Sequence, residues 1–188
     1  MSELRRELGR KAFHMLALVY WAGFALLGWP RVGWVMAAGL VVVLLIETAR
    51  LKVPRIERFL VGLFDGMMRE TERRHYSGIV HTTAGSLAAM LIAQGDSAIV
   101  GAAIGQLAFG DAAAALVGKA FGRTKILGGK KSLEGTLACF AAGCGMRPGA
   151  AFASALAASA VELLPTTEWF NDNLWMPTAS ALVLALLR

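Results

Sequence analysis

Long, uninterrupted apolar runs limit what this chain can fold into more than any other feature. Residues 12–29, 32–49, 79–93, 98–117, 133–146, 150–164 and 174–187 are almost wholly apolar. Several approach the ~20 residues that carry a helix across a bilayer. Lipid offers a free backbone no hydrogen-bond partner, so only helices or closed barrels span it. The runs are continuous rather than alternating, which excludes a barrel. With 56% of its 188 residues hydrophobic and a mean hydropathy of +0.57, the chain is too apolar for an ordinary soluble protein. The expectation is an all-α, polytopic membrane bundle, a single domain over residues 1–188 with about seven transmembrane helices.

One segment is of a different kind. Between Pro54 and Arg74, the residues Ile56, Phe59, Leu60, Leu63, Phe64, Met67 and Met68 recur at helical spacing, with Arg55, Glu57, Arg58, Asp65, Arg69 and Glu70 mostly on the other side. So two-faced a helix lies in the membrane interface rather than across it. The lead-in SELRRELGRK puts basic residues before residues 12–29, as a signal peptide does. That run is long for an h-region and no small-x-small cleavage site follows, so it reads as a retained span. In a soluble protein the net charge of +6 would point to nucleic acid; here it belongs to loops, and no nucleic-acid partner is expected. With a cytoplasmic N-terminus and seven spans, all but Arg31, Arg147 and Arg188 of the 19 basic residues fall inside. Gly101 and Gly105 form a GxxxG suited to close packing, and Cys139 and Cys144 read as inert thiols in an apolar stretch.

The chemistry gathers around Gly110–Thr136, GDAAAALVGKAFGRTKILGGKKSLEGT. Asp111 sits inside an apolar run, where an ionised carboxylate is costly unless paired or metal-bound. Its alternatives are a role at an active site, holding Mg²⁺ or polarising a hydroxyl, and an ion pair with Lys119 or another base. The loop that follows carries Lys119, Gly122, Arg123, Lys130 and Lys131, and then Ser132, Glu134 and Gly135 open the next apolar run. Glycines let backbone N–H groups approach an anion, lysines add charge, and the coming helix points its positive end at the loop. This is not a P-loop, because Lys130 stands where GxxxxGK[ST] needs glycine. Ser132 also suits a helix N-cap and Glu134 a first turn. Lys11 and His14 open the first span, Glu47 and Arg50 close the second as an ion pair or a site, and Glu162, Asp172 and Asn173 lie where topology requires no acids. The topology turns all of these to the cytoplasmic face. His75 and His81 are less persuasive, and neither a zinc spacing nor a GxSxG nucleophile is present.

These residues resemble a family. Arg10-Lys11-Ala12-Phe13-His14, Glu47-Thr48-Ala49-Arg50, Gly110-Asp111 with Ala114, Lys131-Ser132-Leu133-Glu134-Gly135, and finally Glu162, Asp172-Asn173 and Pro177 run collinearly. They are similar to motifs of the dolichol kinase, phytol kinase and CTP-dependent diacylglycerol kinase family of membrane proteins. The resemblance implies phosphorylation of a membrane lipid alcohol (a polyprenol, a phytol-type alcohol or diacylglycerol), often with CTP as donor and Mg²⁺ as cofactor. It implies a phosphate site made by Lys11, Lys119, Gly122, Arg123, Lys130, Lys131, Ser132, Glu134 and Gly135. The metal would be held among Asp111, Glu162, Asp172 and Asn173, with Asp111, His14 and Glu47 as the catalytic groups. The chain is short beside eukaryotic dolichol kinases and looks like a minimal prokaryotic member of the cytoplasmic membrane. The partners expected are lipid alcohol, nucleoside triphosphate and membrane lipids; a homo-oligomer is left open. A CDP-lipid synthase ranks second, since its Asp-x-Lys-Asp, Pro-Gly-His-Gly-Gly and Asp-Arg elements are missing. A small transporter ranks third, since no repeat is visible and the polar groups gather at one surface rather than the midplane.

Overall fold

The structure is a computed structural model that describes residues 9, 11–12, 14–64, 70–129, 131–145, 151–164 and 170–188. Among the described residues the chain is all-α, with eight helices. They are α1 (Leu18–Leu27, entered through a 3-10 turn at Met15–Ala17), α2 (Arg31–Lys52), α3 (Pro54–Leu63), α4 (Gly78–Ala93), α5 (Ser97–Ala120), α6 (Leu133–Cys144), α7 (Ala151–Leu163) and α8 (Asp172–Leu186). A two-residue antiparallel ladder, Lys125–Ile126 (β1) against Lys131–Ser132 (β2), closes the loop between α5 and α6.

Helix boundaries follow local chemistry. Gly28, at φ 69°, ends α1. Pro54 opens α3, where a missing N–H costs nothing. Asp96 caps α5 by accepting from Ala98 N at 2.9 Å and Ile99 N at 3.1 Å, and Asn171 caps α8 by accepting from Asn173 N at 3.0 Å. The amphipathic helix is shorter than its periodicity predicts: the backbone leaves the helix at Phe64, and the continuation of the stripe at Met67 and Met68 lies outside the described residues.

Among the described residues, two helices are long and apolar enough to cross a membrane: α2, of 22 residues, and α5, of 24. The other apolar helices, α1, α4, α6 and α7, are shorter. α5 is the central helix, burying Ile99, Val100, Ala103, Ile104 and Leu107 completely, whereas α2 exposes Trp34, Val35, Val41, Val42 and Leu45 along its outer side. α4 packs on α8, with Gly85 at the closest approach: a Cβ there would stand 2.7 Å from the Asn173 carbonyl oxygen. Gly101 also serves close packing, its missing side chain leaving room for the Trp21 indole of α1.

The helix ends gather into two groups. At one end Gly95 lies against Trp29, and Arg188 Nη2 stands 3.6 Å from Asp96 Oδ2. The starts of α4, α6 and α8 and the ends of α2, α5 and α7 meet at the other.

α5 is not uniform. Residues Gln106–Gly110 form a π-helical turn immediately before Asp111. One extra residue in a turn rotates everything after it, and such turns recur at functional sites. The Gln106 side chain, 1% exposed, fixes this turn: its Nε2 donates to Ser154 Oγ of α7 at 2.9 Å, and its Oε1 accepts from Ser180 Oγ of α8. A polar group buried among apolar helices persists when its partners are present, and here it ties together the helices that carry Asp111, Glu162 and Asp172.

Candidate active site

Asp111 is buried nine residues before the end of α5, roughly 14 Å down the axis at about 1.5 Å per residue. Lys11, one hundred residues away, donates through its Nζ to Asp111 Oδ2. His14 Nε2 stands 3.7 Å from the same oxygen. Lys11 is itself buried, so each charge is tolerated because the other is there.

Two cavities of opposite character share this pair. The first, about 620 Å³, lies between α1, which packs on α5, and α2, which packs on α4, with α3 along its side. Its walls are mainly apolar, including Val19, Tyr20, Val43, Leu60 and Phe64. The second, about 380 Å³, is polar and carries Lys119, Lys125, Lys131, Ser132, Glu162 and Asp172 on its walls. Lys11 and Asp111 line both.

The polar chamber is built by the loop and helix starts that the sequence marks. Ser132 caps α6 by accepting from Gly135 N at 3.2 Å. Lys131 reaches Glu162 Oε1 at 2.5 Å, joining β2 to the end of α7. Asp172 is buried at the start of α8. Gly135 allows α6 to touch α5: a Cβ would stand 2.7 Å from the Ala114 carbonyl oxygen and 3.2 Å from Gly118 Cα. Both obstacles are backbone, so Gly135→Ala is expected to force the helices apart and cost about 1–3 kcal/mol. A melting curve of the purified variant checks this, and an unchanged midpoint would show that the contact yields.

Not every residue expected at the phosphate or metal site lies there. Gly122 packs against Ser132 but, like exposed Arg123, does not line the polar chamber. Glu134 turns back to accept from Thr124 N at 3.0 Å, so it clamps the base of the loop. Lys130 lies outside the described residues. Asn173 lines the apolar chamber with Asp111, whereas Glu162 and Asp172 line the polar one.

Glu47 also faces the apolar chamber, but its carboxylate is fully engaged. Oε1 accepts from Arg50 Nε at 3.0 Å; Oε2 accepts from Arg50 Nη2 at 2.9 Å and Ser77 N at 2.8 Å. Arg50 goes on to the carbonyl oxygens of Glu72 at 3.0 Å and His75 at 2.7 Å. This pair holds the approach to α4.

Thr136 lines the polar chamber, and Ser77 and Thr82 the apolar one, without having been singled out, and Lys125 of the basic loop joins the polar chamber. The usable signal for Lys125 was its place in the basic loop. Gln106, a lone amide in an apolar run, was visible but unremarked. Cys139 and Cys144 are free thiols, as expected.

Among the described residues no three His, Cys, Asp or Glu side chains cluster to hold a metal by themselves. Magnesium asks for less. It is usually bound by one or two carboxylates plus substrate phosphates, and Glu162 and Asp172 supply oxygen donors on the wall of the polar chamber. The donor set fits a cation that arrives with a triphosphate and does not fit a preformed cage.

No family model matches the chain, and no curated protein or solved structure matches it.

Proposed function

We propose that this chain is an integral membrane kinase that phosphorylates the hydroxyl of a lipid alcohol at the cytoplasmic membrane face, with CTP as donor. The observation that carries the reading is the pair of chambers, one apolar and one lysine-rich, that meet at Lys11 and Asp111. A lipid tail and a triphosphate need opposite surroundings, yet their reacting ends must touch. The resemblance of the collinear motifs to those of the dolichol, phytol and diacylglycerol kinases suggests the reaction type. For the membrane arrangement we adopt seven spans with α3 in the interface. It is supported by the two long apolar helices, the apolar outer side of α2 and the sorting of charged loops to the site end. Spans shorter than the bilayer are accommodated by local thinning.

In this reading the alcohol oxygen attacks the γ-phosphorus of CTP. A new O–P bond forms, the bond from the γ-phosphorus to the bridging oxygen breaks, and CDP leaves. Asp111 accepts the hydroxyl proton, with His14 beside it to hold the carboxylate in place. Lys11, at the junction, meets the transferring phosphoryl group; Lys119, Lys125 and Lys131 hold the remaining phosphates near the start of α6. Glu162 and Asp172 would hold a magnesium ion, which would supply charge neutralisation to the phosphates. Catalysis is then positioning and charge neutralisation.

The test is purified protein in lipid nanodiscs with CTP labelled either at the γ-phosphate or in the cytidine, each against prenols and diacylglycerol, with labelled ATP in parallel. Transfer of γ-label to lipid with release of CDP is expected. Cytidine label in the lipid would make the protein a cytidylyltransferase, and transfer from neither nucleotide would end the kinase reading.

A further inference from the structure

We infer that the apolar chamber is loaded sideways, through a gap between α1 and α3, and that it takes a single-chain lipid alcohol with the hydroxyl foremost. This rests on the kinase reading of the site. The chamber walls change character along their length. Lys11, Glu47, Arg50 and Asp111 are all buried. Leu16, Val19, Ile46 and Leu63 line the same space but are 54%, 61%, 48% and 63% exposed. A side chain belongs both to a cavity wall and to the outer surface only where the cavity opens, so these four mark a mouth. Leu16 and Val19 stand three residues apart, on one face of the entry to α1. Leu63 closes α3, and Ile46 lies behind them on α2.

The mouth is apolar and the inner end is charged. A water-soluble substrate gains nothing from crossing an apolar lip to reach buried ions, whereas a lipid tail left in the mouth keeps its hydrocarbon surroundings as the hydroxyl moves inward. α3 sets the height of the opening. Leu60, Leu63 and Phe64 line the chamber while Arg55 and Arg58 are exposed, which suits a helix lying at the level where a membrane alcohol carries its hydroxyl. At about 620 Å³ the chamber is of the size that takes one compact ligand, on the order of 300–1,000 Å³, and offers one chain a wall. The second acyl chain of a diacylglycerol would have to lie outside it.

The experiment uses the full-length protein in phosphatidylcholine nanodiscs, with Val19→Trp and Leu63→Trp to narrow the mouth. Substrates are geranylgeraniol, the short soluble alcohol 3-methyl-2-buten-1-ol, and dioleoylglycerol. The ratio of kcat/KM for geranylgeraniol to that for the short alcohol is expected to fall at least tenfold in each variant. In the wild-type protein a geranylgeraniol carrying a diazirine in its chain is expected to crosslink to peptides of α1 and α3, with unlabelled geranylgeraniol competing. An unchanged ratio in both variants, crosslinking confined to other helices, or equal kcat/KM for dioleoylglycerol and geranylgeraniol would overturn the inference. Competed crosslinking on α1 and α3 without transfer to any alcohol would uphold the mouth and remove the kinase reading, so the two fail separately.

Discussion

Asp111→Asn is expected to lower phosphoryl transfer about 10³-fold, within the range of roughly 10²–10⁴ that a positioned acid–base group contributes. The variant keeps the shape of the side chain and an amide oxygen that still accepts from Lys11, but it no longer takes a proton from the alcohol. The loss should fall on kcat more than on KM, because the apolar walls that hold the tail and the lysines that hold the phosphates are untouched. One complication follows from burial. Lys11 and Asp111 are both buried and answer each other's charge, so removing one leaves the other exposed to the cost of a lone buried ion. A fall in activity through poor folding would then imitate a catalytic defect. The melting midpoint of Asp111→Asn separates the two. If that variant melts with the wild-type protein and is inactive, the carboxylate is needed for the reaction. If Asp111→Asn retains activity within a few-fold of wild type, the assignment fails.

Much of this architecture was legible in the apolar runs. Their number and placement match α1, α2 and α4 to α8 closely, because burial or lipid contact needs continuous apolar surface and Gly28, Pro54 and Asp96 punctuate it. What periodicity did not convey was where a helix stops being useful. The stripe after Pro54 keeps its spacing through Met68, yet the backbone leaves the helix at Phe64. The Lys11–Asp111 pair was not legible either. Nothing local points to Lys11, which arrives only because α1 packs on α5. The π turn at Gln106–Gly110, which aims Asp111, has no local signature: its anchors Ser154 and Ser180 come from two later helices. The division of the site into two chambers is a property of how helices diverge. Asp111, Glu162, Asp172 and Asn173 therefore read as one metal set in sequence, whereas the fold puts Asn173 on the apolar side and leaves only Asp111 on both.

Arg50→Met should be the most damaging substitution for stability, costing about 3–5 kcal/mol. Arg50 is 1% exposed and holds both oxygens of Glu47 in a planar fork. It also donates to the carbonyl oxygens of Glu72, in the 3-10 turn Glu70–Arg73, and of His75, between that turn and the start of α4. Methionine fills the space but leaves a buried carboxylate without its cation and carbonyls without a donor, and unmade bonds of this kind cost more than made ones stabilise. For a chain of this length the change should lower the melting midpoint by on the order of 10 °C. Glu47→Gln in the same molecule should recover part of it, since a neutral amide no longer needs a counter-ion. Arg50→Lys should recover little, because an ammonium cannot reproduce the planar fork. Ser77 and Gly78 line the apolar chamber just past this anchor, so KM for the lipid alcohol should rise as the approach to α4 loosens. A midpoint within about 2 °C of wild type for Arg50→Met would remove the pair's structural role and return Glu47 to consideration as an acid–base group.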